Sequence, residues 1–134
     1  MASTSPVTNL NADLLDGKHA SDFSGKTASV SEYALAANNT NYEVIRVNGL
    51  AAGNYDVKTY LRITATTTVS IWVTYTDAGG TAQSTYIVSN QSFSAGSYSL
   101  LPLFINVINA SNAVLAVNAS VANAVKVSAS IVGV

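Results

Sequence analysis

The sequence predicts an all-β fold, an antiparallel sandwich or barrel over residues 41–134 behind a compositionally different arm of residues 1–40. Three observations carry this expectation. The long C-terminal part is rich in Val, Ile, Thr, Tyr, Ser, Ala and Asn, and the branched and aromatic types among these suit a pleated, half-buried surface. Apolar and polar residues alternate with period two along several stretches. Clusters of Gly, Asn and Ser separate those stretches at near-regular spacing, the pattern of short strands joined by turns.

Taken in order, residues 1–8 read as a frayed arm. Asn11 is placed to cap a short helix, Asp13 stands near its positive end, and Gly17 stops it. That helix has little more than one turn, well under the ~12–15 residues at which isolated helices become marginal, so something outside the segment must stabilise it. Residues 24–41 read as an extended or mixed connector, with a short helix from Ser31 as the alternative. In "YEVIRVN" Ile45 and Val47 share a face. In "NYDVKTYLRI" Tyr55, Val57, Thr59, Leu61 and Ile63 face inward, and Asn54, Asp56, Lys58, Tyr60 and Arg62 face outward. In "TTVSIWVTYTD" Val69, Ile71, Val73 and Tyr75 oppose Ser70, Trp72, Thr74 and Thr76. "DAGG" (77–80) is a hairpin turn, and "TAQSTYIVS" returns as the partner strand. "NQSFSAGS" reads as loop. "YSLLPLFINVI" is apolar on both faces, which predicts burial on both faces or at a subunit interface, with Pro102 at an edge or bulge. "NASN" (109–112) turns, and "AVLAVNASV" and "AVKVSASIVGV" complete the set with Val125, Val127, Ala129 and Ile131 inward.

Charge and composition exclude several classes. The 134 residues carry a formal net charge of -1 and only 10% charged side chains. No basic stripe is present to neutralise phosphates, which argues against nucleic acid and against an anionic membrane surface. No apolar run reaches the ~18 residues that span a bilayer. The chain has no cysteine, so disulfides and thiolate zinc sites are out. "MASTSPVTNL" has neither a basic nor an apolar signal-peptide region, so assembly in a cytoplasm, or origin as a fragment of a longer chain, is expected.

"NADLLDGKHASDF" (11–23) resembles a motif of tail-fibre and receptor-binding proteins of bacteriophages and prophages. The pattern Asn-Ala-Asp-x-Leu-Asp-Gly-x-His-Ala-Ser-Asp-Phe is met at Asn11, Ala12, Asp13, Leu15, Asp16, Gly17, His19, Ala20, Ser21, Asp22 and Phe23. In that family the motif lies in intertwined trimeric shafts ahead of a β-rich tip. "LAAGNYDVKTYLRITATTTVSIWVTYTDAGGTA" is similar in strand texture to the small jelly-roll heads that follow such shafts, and to trimeric jelly rolls of the tumour-necrosis-factor type. The resemblance implies a homotrimer, a fibre and recognition of a host surface. Leu10, Leu14, Leu15, His19 and Phe23 would then form the trimer shaft. Three copies of Leu10, Leu14, Leu15 and Phe23 around a three-fold axis would form a core that one copy cannot, at roughly 1.5–3 kcal/mol for each well-buried large side chain.

His19 has two readings, an ion site on the three-fold axis or a hydrogen-bonded structural histidine beside Asp22 or Asp16; the structural one is preferred. Asn11, Asp13 and Asp16 do not have calcium-loop spacing. There is no Gly-x-Ser-x-Gly elbow, and outside the arm and connector only Glu43, Asp56 and Asp77 are carboxylates, so no catalytic pair and no cofactor are expected. Trp72, the sole tryptophan, also has two readings. If its strand pairs with the preceding one, it joins Asp56, Tyr60 and Arg62 in a saccharide-binding patch, the ring stacking on a pyranose face. Alternatively Trp72 and Tyr60 bury against a neighbouring subunit. The two coexist where a saccharide binds between subunits. The expectation is thus a non-catalytic tail-fibre tip of the virion tail, assembled in the host cytoplasm with other tail or baseplate proteins and attaching outside it to bacterial surface saccharide. The competing expectation is a structural trimerisation knob without a receptor site.

Overall fold

The computed structural model describes residues 28–134, and these form nine strands and no helix. They are β1 (Ala28–Ala34), β2 (Tyr42–Leu50), β3 (Gly53–Ile63), β4 (Thr67–Thr76), β5 (Ala82–Phe93), β6 (Gly96–Ser99), β7 (Leu103–Val107), β8 (Ser111–Ala119) and β9 (Val125–Gly133). All pairings are antiparallel. The first sheet runs β1-β9-β3-β6, with β7 also paired to β3; the second runs β2-β8-β4-β5. The chain passes back and forth between the sheets, and this strand order is that of an eight-stranded jelly roll whose sixth strand is split into β6 and β7.

Period-two patterning builds the core. Along β3 every second residue from Tyr55 to Ile63 is buried, and along β9 so are Val125, Val127, Ala129 and Ile131. Val69, Ile71 and Val73 of β4 and Ala113, Leu115, Val117 and Ala119 of β8 meet them from the other sheet. Thr59 is the one inward-facing polar residue of β3, and its hydroxyl has no hydrogen-bond partner among the described residues.

Three expectations need revision. The sandwich takes in Ala28–Ala34, which the sequence reading placed in the connector of residues 1–40. That strand pairs with β9 across a bulge between Val127 and Ala129. The extended reading of this stretch holds over the helical one, because β9 offers an edge and Val30 and Tyr33 pack against the core. Second, "NQSFSAGS" is not a loop: β5 continues to Phe93, and β6 starts at Gly96. Phe93 is 4% exposed and its ring meets Tyr98 edge-on at 4.8 Å, so an apolar anchor holds the turn in the core. Third, "YSLLPLFINVI" is not buried on both faces within this chain. It breaks around Pro102 at the sheet edge; Ile105 and Val107 are buried, while Leu101 and Phe104 are exposed. The arm residues Leu10, Leu14, Leu15, His19 and Phe23, and the helix expected there, lie outside the described residues.

Candidate functional site

The residues expected to form one patch stand on opposite sides of the molecule. Asp56, Tyr60 and Arg62 lie on the outer face of the first sheet, Trp72 on the outer face of the second. β3 and β4 do not pair. Residues 64–66 carry the chain from one sheet to the other. Thr64 donates its N–H to the Ala124 carbonyl at 2.9 Å, tying the end of β3 to the start of β9. Thr68 donates its N–H to Ser120 Oγ at 2.9 Å, tying β4 to β8. Non-local partners thus claim both strands, and the four-residue patch does not exist.

On the first sheet Arg62 is already engaged. Its Nε donates to Glu32 Oε1 at 2.8 Å and its Nη2 donates to the same oxygen. Glu32 reaches across β9 because the β1 bulge puts it in the left-handed region, at φ 54. Its own N–H donates to Ser128 Oγ at 3.1 Å. The Arg62 hydrogen bond holds the Glu32 carboxyl below its ordinary range. Arg62 is therefore a clamp between strands. Asp56 stands opposite Phe104 and Val132. Tyr60 is 41% exposed beside Lys58, Ser99 and Ser128 in a shallow groove of about 470 Å³, with no second aromatic ring in its lining.

The second sheet presents a different surface. One row across it reads Glu43, Ala116, Trp72, Tyr86 on β2, β8, β4 and β5. The Trp72 and Tyr86 rings lie 5.7 Å apart at 36°, and Tyr86 is 53% exposed. Ala116 next to Trp72 is too small to cover it. Beyond Ala116, Arg46 donates to both Glu43 oxygens, at 3.0 and 2.9 Å. This fork holds the Glu43 carboxyl low and the Arg46 guanidinium high. Ser70 and Asn90 bond each other along one flank, as do Asn41 and Asn118.

Along the other flank the face opens into a groove of about 640 Å³ lined by Arg46, Thr74, Gln83, Ser84 and Asn112 among others. Its wall is the turn between β7 and β8. Ile108 donates its N–H to Thr76 O at 3.1 Å, Ala110 its N–H to Leu50 O at 2.7 Å, and Ser111 its N–H to Ile108 O at 3.1 Å. Ala110 is left-handed there, at φ 66. The wall is thus pinned to both β2 and β4. Stacking rings, a fixed guanidinium fork and anchored amides together can hold a polyhydroxylated ring.

Tyr86 and Arg46 were missed from sequence. A countable signal pointed to Tyr86: the turn pairs Thr76 with Ala82, and counting back four residues on each strand sets Trp72 against Tyr86. Arg46 had no such signal, since β2 reaches this face only through β8. Among the described residues, no three His, Cys, Asp or Glu side chains gather where they could hold a metal ion.

No protein-family model matches the chain, and no curated protein matches it in sequence. Solved structures do match its fold. T=1 particles derived from infectious bursal disease virus superpose with a TM-score of 0.57 at 12% identity, over 81% of this chain and 31% of that one. The VP2 subviral particle of the same virus gives 0.56 at 11%, over 81% and 32%, and its Gx strain 0.55 at 11%, over 81% and 32%. This chain spans about a third of the length of those chains. At such identity the likeness is one of fold, a jelly-roll sandwich.

Proposed function

We propose that this chain is the tip of a bacteriophage tail fibre, a non-catalytic homotrimer that attaches to saccharide on a bacterial surface through Trp72 and Tyr86. One observation carries the binding site. Two aromatic rings stand 5.7 Å apart on the solvent side of a sheet whose other side is already the core. Rings in that position add little to the core, but they suit the C–H face of a pyranose while flanking amides and hydroxyls take its hydroxyl groups. The likeness of residues 11–23 to the fibre motif supports the fibre and the trimer. Three linked heads compensate for a weak single site by avidity.

The test is labelling of bacterial cells by the fluorescently tagged full chain across a panel of strains. Trp72→Ala and Tyr86→Ala should each abolish labelling of a strain that the parent chain marks, with melting temperature and sedimentation unchanged. Labelling that survives Trp72→Ala refutes the site.

The knob reading also has a specific observation in its favour. Leu101 and Phe104 are 86% and 58% exposed on one edge, an apolar surface that a neighbouring copy would cover. On that reading no strain is labelled, and Leu101→Ser with Phe104→Ser dissociates the assembly.

A further inference from the structure

The groove beside Trp72 and Tyr86 says what kind of saccharide would suit the face. The inference rests on the attachment reading above and narrows it. We infer that the face takes an internal stretch of a neutral polysaccharide, several linked sugars long, and not a single terminal sugar or an acidic polymer.

Length is the first argument. Trp72, Thr74 and Thr76 follow one another on the outer side of β4, and four residues of strand cover about 14 Å, the span of about three linked sugar rings. The aromatic pair occupies one end of that line and the groove of about 640 Å³ the other, where Thr74 and Thr76 are among the lining residues. A single sugar on the rings leaves the groove empty. A chain running along β4 fills both.

The groove's polar groups are the second argument. Ser84 is exposed on β5 directly across from Thr74, so its hydroxyl stands on the outer side of the sheet and lines the groove. Asn112 accepts the Gly49 N–H on its Oδ1 at 3.1 Å, and its amide nitrogen is left without a partner among the described residues. The groove thus offers hydroxyls and an immobilised donor, and such groups take sugar hydroxyls at low entropic cost. The backbone bonds of residues 108–111 make the wall rigid as well.

Charge is the third argument. Among the described residues the only cation on this face is Arg46, and both of its bonded nitrogens are spent on Glu43. Asp77, at the far end, accepts from Gly79, Thr81 and Gln83. The surface therefore carries no net positive charge to draw an anionic chain.

The experiment is isothermal titration of the full chain with oligosaccharides of one to six units, built from glucose, galactose, mannose or N-acetylglucosamine. Polygalacturonate and poly(glycerol phosphate) serve as acidic probes. In at least one neutral series, affinity should rise about tenfold from the dimer to the tetramer and stay level beyond it. Thr74→Val and Ser84→Ala should each remove most of that rise, leave dimer affinity unchanged and keep the parent melting temperature. Two different variants guard against a local fold defect. Trp72→Ala should abolish binding at every length.

Affinity that is flat with length, while Trp72→Ala still abolishes it, overturns the extended-chain inference and leaves the attachment site standing. Binding that persists in Trp72→Ala overturns the site itself. Binding of an acidic probe with no neutral series bound, or of no probe at all, overturns the neutral-polymer inference.

Discussion

Asp77 shows how much one side chain can organise. Its carboxylate accepts the N–H groups of Gly79 and Thr81, each at 2.9 Å, and the Gln83 amide at 2.8 Å. Gly80 closes the turn onto the Asp77 carbonyl at φ 83, where a Cβ would be strained. The Thr81 N–H above all, then Gln83 and Gly79, holds the Asp77 carboxyl below its ordinary range, as Arg62 does for Glu32. Both groups therefore bind protons less well folded than unfolded. Their contribution is complete above the unfolded values, about 3.9 for Asp and 4.3 for Glu, and is lost as the pH falls through the folded ones. Melting temperature should be level near neutral pH and decline below about pH 4, with a shallower decline in Asp77→Asn. Calorimetry across that range checks it. Thr59 makes the opposite case: its buried hydroxyl is unpartnered among the described residues. Thr59→Val should raise stability by about 1 kcal/mol, read from urea denaturation. The sequence named Asp77 as a turn residue and Thr59 as inward, because both follow from local pattern. The Glu32–Arg62 clamp was not legible, since it depends on a bulge set by β9.

Strands with one buried face were readable in advance. The inward sets of β3, β4 and β9 follow from alternation alone, because solvent on one side and core on the other write period two into the chain. The Pro102 region was harder. Leu101 and Phe104 put apolar residues on an exposed face, so the alternation fails there although Ile105 and Val107 face the core normally. β1 was ambiguous for a similar reason: none of its residues is fully buried. Sheet membership was not legible at all. β3 and β4 are adjacent in sequence and lie in different sheets, while β3 pairs with β9, at the other end of the chain. That single unknown assembled the wrong patch from correctly faced residues. Burial makes its own prediction. Leu115, fully buried on β8, is a central core residue of the second sheet. Leu115→Ala should cost about 2–5 kcal/mol by denaturant unfolding. A surface change on the same strand, Asn118→Ala, should fall within about 0.5 kcal/mol of the parent.

At the scale of the whole molecule, the sandwich presents two outer faces with different chemistry. The first sheet carries Tyr60 and Phe104, serines and a charge clamp; the second carries the Trp72–Tyr86 pair and a walled groove. An attachment protein needs one face free for ligand and an edge for its neighbours. The second sheet presents such a face, and the Leu101–Phe104 edge suits a neighbouring copy on the attachment reading and the knob reading alike. Sedimentation of the full chain should give three copies per particle. Trp72 is the only tryptophan, so its fluorescence reports the proposed site without a label. The decisive measurement is a fluorescence titration with purified surface polysaccharide from a strain that the chain labels. Saturable change in Trp72 emission, with reduced access to acrylamide, is the predicted result. Polysaccharide that co-sediments with the chain while Trp72 emission and quenching stay unchanged would place the ligand elsewhere and contradict the account.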